Sequence, residues 1–183
     1  MAVSITGSTN TLLEIKMSNL EDRMKQYEAV SKNYLVRKTP VILRIDGKGF
    51  SKYTQAFKKP VDPLLASAMA ETAKFLVKNI QGARIAYTQS DEISILLRDW
   101  DTPTTDAWFS YNVQKLASVS ASMATAHFNY FIGQNVKDAK PAVFDCRAFN
   151  LPFSEVCNYF IWRQQDGTRN SISMHAHHMF GLS

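Results

Sequence analysis

Three acids stand where chemistry could be done: Asp46, Asp91 and Glu92. Asp46 closes the apolar run VILRID and is followed by Gly47, Lys48, Gly49 and Phe50. Asp91 and Glu92 lie side by side in YTQSDEISILL, between two stretches that read as strands. Carboxylates brought within a few ångströms raise each other's pKa, and a cation between them removes that penalty. Hard oxygen donors suit Mg²⁺, which takes one or two protein carboxylates plus phosphate and water oxygens. Two such ions can activate an attacking hydroxyl and neutralise a leaving pyrophosphate. The plainer alternative is that each acid serves a turn, since Asp-Gly and Ser-Asp are common turn pairs. Glu92 is open between a third ligand and a solvent-facing strand acid. DGKGF lacks Walker A spacing, yet a short glycine turn can aim backbone N–H groups at phosphate.

The elements that must position these residues follow from pattern. Residues 1–17 read as a flexible leader, and Ser18 with Glu21 forms an S-x-x-E capping box that opens a helix to about Ser31. VILRID reads as a strand ending at Gly47. Asp62 and Pro63 suit an N-cap and first helical residue, and Leu65, Ala68, Met69, Thr72 and Leu76 keep helical spacing to about Ile80. Gly82 suits the left-handed turn that follows. RIAYTQ and EISILLR read as strands, the second buried on one face because Ile93, Ile95 and Leu97 alternate. A long helix is expected from Ala107 to Phe131, capped by Asp106 and stopped by Gly133, with a small-residue middle that permits close packing. Pro141 to Phe149 is a fourth strand, and WRQQDGTRNSISM opens a last helix.

The order strand, helix, strand, strand, helix, strand gives an α+β, ferredoxin-like βαββαβ palm with both helices on one face of an antiparallel sheet. Its first and third strands are central neighbours, so Asp46 and Asp91 are expected to meet at one sheet edge.

The 183 residues fit one domain with a sizeable core, here 18–183. The formal charge of +5 mildly favours a polyanionic partner. No apolar run is long enough for a membrane span, and no signal peptide is visible, so a cytoplasmic protein is expected. Cys146 and Cys157 lack CxxC spacing and read as free thiols.

Taken together, RIDGKGF, KKPVD, SDEISILL, FDCRAF and WRQQD occur in the order seen in tRNA-His guanylyltransferases and their relatives, which the chain resembles from about Met17 onward. The resemblance implies that Asp46 and Asp91 hold metal, with Gly47 offering its carbonyl, and that Glu92 is the acid of the SDE element. It implies a nucleotide-binding set of Asp46, Gly47, Lys48, Gly49, Phe50, Ser51, Lys59, Asp62, Ser90 and Asp91. Lys115 aligns with a basic residue near phosphate. The implied substrates are tRNA, ATP and GTP, the implied cofactor two Mg²⁺ ions, and the implied assembly a tetramer. The implied reaction activates a tRNA 5′-monophosphate and then joins it to the 3′-hydroxyl of incoming GTP, so that RNA grows in the 3′-to-5′ direction.

Two departures bear on substrate choice. Thr168-Arg169-Asn170-Ser171 stands where eukaryotic relatives carry His-Ile-Asn-Asn, which favours the bacterial, archaeal and phage-like branch associated with repair of tRNA 5′ ends. Ser51 replaces a common histidine, and relatives usually continue beyond Ser183, so a C-terminally shortened palm is expected.

Other residues read more plainly. His175, His177 and His178 suit a solvated helix better than a metal site, and His127 suits helix packing. Arg163 and Trp162 suit either nucleotide or RNA contact or the anchoring of the last helix. Tyr53 and Phe57 beside Lys52, Lys58 and Lys59 suit either RNA contact or, the preferred reading, a core with a solvated basic rim. The competing functions are a nucleotide cyclase or dinucleotide-forming palm enzyme, and a non-catalytic RNA-binding module.

Overall fold

The computed structural model describes residues 8–181, with side chains from Asn19 onward. The chain divides into two compact units between Asn33 and Tyr34. The first carries helix α1, Ser8–Ala29. The helix therefore begins ten residues before the expected start at Ser18. Leu12, Leu13, Glu14, Lys16 and Met17 are good helix formers and carry it through that point. Glu21 pairs with Lys25 one turn on, so the capping box is not the helix start. Of the expected leader, 8–17 is helical and 1–7 lies outside the described residues.

The second unit is built on a four-stranded sheet: β1 (Val41–Gly47), β2 (Ala83–Gln89), β3 (Glu92–Leu97) and β4 (Phe144–Asn150), ordered β2-β3-β1-β4. All neighbours are antiparallel, so the βαββαβ expectation holds, with β1 and β3 central. After β1 comes one short turn of helix, α2 (Phe50–Tyr53), then α3 (Pro63–Asn79). Helix α4 (Val113–Asn135) joins β3 to β4, and α5 (Val156–Phe180) follows β4.

Alternation in the strands decides what lies where. Val41, Leu43 and Ile45 of β1 and Ile93, Ile95 and Leu97 of β3 are fully buried beneath α3 and α4. Helix α4 presents Leu116, Ser120, Ala124, Phe128 and Ile132, one residue per turn, to this core. The small Ser120 and Ala124 let it lie close to the sheet, as its small-residue middle suggested. His127 stacks on Phe75 of α3 at 4.4 Å, a packing role between the helices.

The opposite face of the sheet is not open. Helix α5 lies over it, and Tyr159 shares a 2.7 Å hydrogen bond with Ser94. β3 is therefore buried on both faces rather than one. The last helix starts at Val156, with WRQQD in its second and third turns rather than opening it.

Helix α3 runs as expected, with Asp62 accepting from the backbone N–H of Leu64 and Leu65. Helix α4 does not. Phe109, Ser110 and Tyr111 all have positive φ, which interrupts the chain after Ala107. Asn112, not Asp106, is the cap, accepting from Lys115 N–H. Gly133 sits inside the helix, which continues to Asn135. No helix among the described residues is long and apolar enough to cross a membrane.

Gly82 shows why its position needs glycine. Its φ is +81°, and a Cβ there would stand 2.7 Å from the Arg98 carbonyl oxygen. Gly82→Ala is expected to destabilise the fold by about 2 kcal/mol, seen as a lower urea midpoint with an unchanged m-value.

Candidate functional site

The β2–β3 hairpin closes at the Gln89–Glu92 pair, leaving Ser90 and Asp91 as its turn. Ser90 takes φ +48°, a region that non-glycine residues occupy rarely and often near functional sites. Gly47 N–H donates to the Asp91 carbonyl at 3.2 Å, fastening the end of β1 to this turn. Asp46 and Asp91 thus meet at one edge of the sheet. In register, Asp46 faces Glu92 on β3 and Asp145 on β4. Burial pushes the Asp46 carboxyl above its ordinary value, and the charges of Asp91, Glu92 and Asp145 push the same way, against the pull of Arg44.

Glu92 is placed differently from its neighbour. It is only 5% exposed, which rules out a solvent-facing acid. Its Oε2 accepts from Arg44 Nε at 3.0 Å. Its Oε1 accepts from Arg163 Nε at 2.9 Å and from the Ser94 hydroxyl at 3.0 Å. Arg163 is itself 4% exposed, also pairs with Asp166, and lies against the Trp162 ring. Of the two readings of Arg163, helix anchoring is the one the contacts match.

The DGKGF segment is a tight turn into α2. A Cβ on Gly47 would fall 2.2 Å from the Phe50 ring, so glycine there lets the ring fold inward. Phe50 packs among Tyr53, Phe128 and Phe144, and Tyr53 against Phe57, so these aromatics belong to the core side. Gly49 has φ +67°, and Lys48 is exposed.

A cleft of about 1100 Å³ opens beside the turn. Of the expected nucleotide set it gathers Gly47, Gly49, Phe50, Ser51, Lys59, Asp62, Ser90 and Asp91. Asp46 and Lys48 are not among its lining residues. Exposed Lys58 and Lys59 supply positive charge, and Asp62 Oδ2 accepts from Lys58 N–H at 2.9 Å, so Asp62 ties this loop to α3. Those bonds hold the Asp62 carboxyl below its ordinary value, the Lys58 N–H foremost. Lys115 lies elsewhere. Thr125 Oγ1 accepts from Phe144 N–H beside the Gly47 end of β1, and Lys115 is ten residues earlier, about 15 Å along α4. Its ammonium lies over the Phe109 ring.

The sequence reading did not place α5 in the cleft, yet Gln164, Gly167, Thr168 and Ser171 line it. Their spacing is one helical stripe of small and polar residues, a signal already present within the expected last helix. A Cβ on Gly167 would fall 2.1 Å from Gln89 Oε1, so α5 crosses close to β2. Among the described residues no three His, Cys, Asp or Glu side chains are grouped to hold an ion. Cys146 and Cys157 are free, and burial pushes the Cys146 thiol up to about 11, which disfavours its thiolate.

The family model described as Thg1: tRNAHis guanylyltransferase matches residues 21–152. The chain belongs to this family. A bacterial Thg1-like protein solved in complex with GTP is 53% identical, with TM-score 0.86 over 87% of this chain and 76% of that one. The corresponding complex with ATP gives the same identity and score over 88% of this chain and 71% of that one. The tRNA(His) guanylyltransferase of Saccharomyces cerevisiae is 26% identical, with TM-score 0.62 over 74% of this chain and 61% of that one. Among curated relatives, a protein of Acanthamoeba polyphaga mimivirus is 31% identical over 87% of this chain and 63% of its own length. The tRNA(His) guanylyltransferase of Debaryomyces hansenii is 32% identical over 81% of this chain and 57% of its own length. The chain thus spans about three fifths of these curated relatives, and in identity it stands nearer the bacterial Thg1-like proteins than the yeast enzyme.

Asp62→Ala is expected to lower stability by about 1 kcal/mol at pH 7 through the lost cap. Because the folded-state pKa of Asp62 is depressed, its contribution is present above the unfolded carboxylate range and fades as pH falls through the folded value. Urea denaturation of both proteins at pH 7 and pH 3 should show the gap narrowing in acid.

Proposed function

We propose that this chain is a Mg²⁺-dependent nucleotidyltransferase that adds nucleotides, GTP foremost, to tRNA 5′ ends in the 3′-to-5′ direction. The observation that carries it is the meeting of Asp46 and Asp91 beside a cleft that Asp91, Lys58 and Lys59 all line. The donor set fits the ion: the two carboxylates and the Gly47 carbonyl are hard oxygens, and the crowded negative charge around Asp46 is what a divalent cation relieves. Mg²⁺, when bound, neutralises phosphate charge and favours ionisation of an attacking hydroxyl.

The chain's own residues orient the reactants. Lys58 and Lys59 hold the triphosphate by charge, and the DGKGFS turn brings backbone close to it. In the first phase an oxygen of the tRNA 5′-monophosphate attacks the α-phosphorus of ATP or GTP and pyrophosphate leaves. In the second, the 3′-hydroxyl of incoming GTP attacks the activated 5′ phosphorus and the nucleoside monophosphate leaves. The added nucleotide keeps its triphosphate.

Template-directed repair of 5′-shortened tRNA is favoured over strict tRNA-His selection. Thr168, Asn170 and Ser171 line the cleft where eukaryotic relatives place the His-Ile-Asn-Asn segment, and the identity to bacterial Thg1-like proteins points the same way. Assembly as a homo-tetramer in the cytoplasm belongs to the same proposal.

The test is addition of labelled GTP to two purified tRNAs, one tRNA-His lacking its extra G and one tRNA missing its first paired nucleotide. Faster extension of the shortened tRNA is expected, with Asp46→Asn and Asp91→Asn each slowing it about a hundredfold or more. Preference for tRNA-His would overturn the repair assignment. A cyclic or dinucleotide product from nucleotide alone, or Mg²⁺-independent RNA binding without incorporation, would overturn the proposal itself.

A further inference from the structure

Glu92 is the acid that motif reading leaves unassigned. It follows Asp91 in sequence and faces Asp46 in register, so it stands where a further metal ligand would be sought. Its contacts point elsewhere. Each carboxylate oxygen has its own guanidinium, Arg44 on Oε2 and Arg163 on Oε1, and Ser94 adds a third donor. Both acceptor positions of Oε1 are taken, so a cation could meet Glu92 only at the position left on Oε2, beside the Arg44 guanidinium that already bonds that oxygen.

The helix that supplies Arg163 also supplies a wall of the cleft. Tyr159, Arg163 and Gly167 stand four residues apart, on one stripe of α5. Tyr159 bonds Ser94, Arg163 bonds Glu92, and Gly167 meets Gln89. All three partners lie on β3 or at the end of β2, so the helix is fixed along a line running toward the Ser90–Asp91 turn. Gln164, Thr168 and Ser171, one step around the helix, face the cleft.

We propose that Glu92 is a positioning residue rather than a metal ligand: through Arg163 it holds α5 against the catalytic hairpin and so fixes the cleft wall that Gln164, Thr168 and Ser171 present to the nucleotide. This rests on the nucleotidyltransferase reading above. Arg44, on the strand that carries Asp46, is the second arm of the same device. One carboxylate thus joins the strand of Asp46, the turn of Asp91 and the helix facing the substrate.

The experiment compares wild type, Glu92→Gln, Arg163→Gln and the double variant. It reads GTP affinity without Mg²⁺, amide exchange over residues 156–171, and the Mg²⁺ concentration for half-maximal 5′ addition. A positioning role weakens GTP binding about tenfold in either single variant and speeds exchange in α5, with the double variant no worse than the worse single. The Mg²⁺ midpoint stays within about twofold of wild type. A ligand role gives the opposite pattern: the midpoint rises about tenfold or more in Glu92→Gln but not in Arg163→Gln, and α5 exchange is unchanged. That pattern overturns the proposal. Should Glu92→Gln fail to fold, Arg163→Lys keeps every carboxylate and removes only the planar fork. Faster α5 exchange and weaker GTP binding then support the proposal, and wild-type values for both overturn it. Binding and exchange need no tRNA, so wild type that binds GTP but adds nothing would sink the nucleotidyltransfer reading while the exchange data still decide the role of Glu92.

Discussion

The register of β1 between β3 and β4 is the constraint on which the rest depends. It sets Asp46 opposite Glu92 and Asp145, and Arg44 opposite Ser94 and Arg147. What enforces it is the other face of the same strands. Val41, Leu43, Ile45, Ile93, Ile95 and Leu97 are all fully buried. A one-residue slip would turn one strand's set outward and bring its polar residues into the core. Bringing Arg44 and Asp46, or Glu92, unpaired into that apolar core costs on the order of several kcal/mol for each charge, comparable with a small domain's whole stability. Apolar burial on one face therefore fixes charged geometry on the other.

That geometry crowds negative charge, and the fold treats the acids unequally. Glu92 receives Arg44 and Arg163. Breaking a buried pair by removing one partner costs about 3–5 kcal/mol, far more than a surface pair returns, so this carboxylate is committed to structure. Asp46 is left with its carboxyl pushed up, and Asp91 sits in a turn that lines the cleft. Two neighbouring acids thus take different duties. Asp91 belongs to the turn and faces the cleft, while Glu92 begins a strand and is covered by a helix.

The sheet was legible because its signals are local. Alternation in EISILL, the apolar run VILRID and the Asp62-Pro63 start of α3 each follow from nearby residues. The convergence of Asp46 and Asp91 then followed from topology alone. The start of α4 was not legible in this way. Asp106 is a good cap by type, but three successive positive-φ residues intervene, and Asn112 takes the role. The burial of Glu92 was hidden for a longer-range reason. Nothing in SDEISILL says that a helix sixty residues later covers its polar face, and only Arg163 and Tyr159 reveal it. The helical stripe of Gln164, Gly167, Thr168 and Ser171 lay within the expected last helix, but nothing nearby in the sequence said which side of that helix meets the cleft.

The cleft draws its walls from three separately stabilised parts. The acid edge is fixed by strand register, the α5 wall by its line of contacts with β2 and β3, and the lysine loop by Asp62. Asp62 shows how closely helix stability and the shape of the cleft are joined. Its Oδ1 caps α3 and its Oδ2 accepts from Lys58 N–H, so the carboxylate that helps start the helix also shapes the loop bearing Lys58 and Lys59. A nucleotide that bonds Asp62 must use lone pairs left over from this task, since an ionised carboxylate has about four acceptor sites. Such a contact would be directional, because only the positions not taken by backbone N–H groups remain. An acid already oriented by the backbone loses little freedom on meeting a ligand, so the bonds that cap α3 also preorganise this side of the cleft.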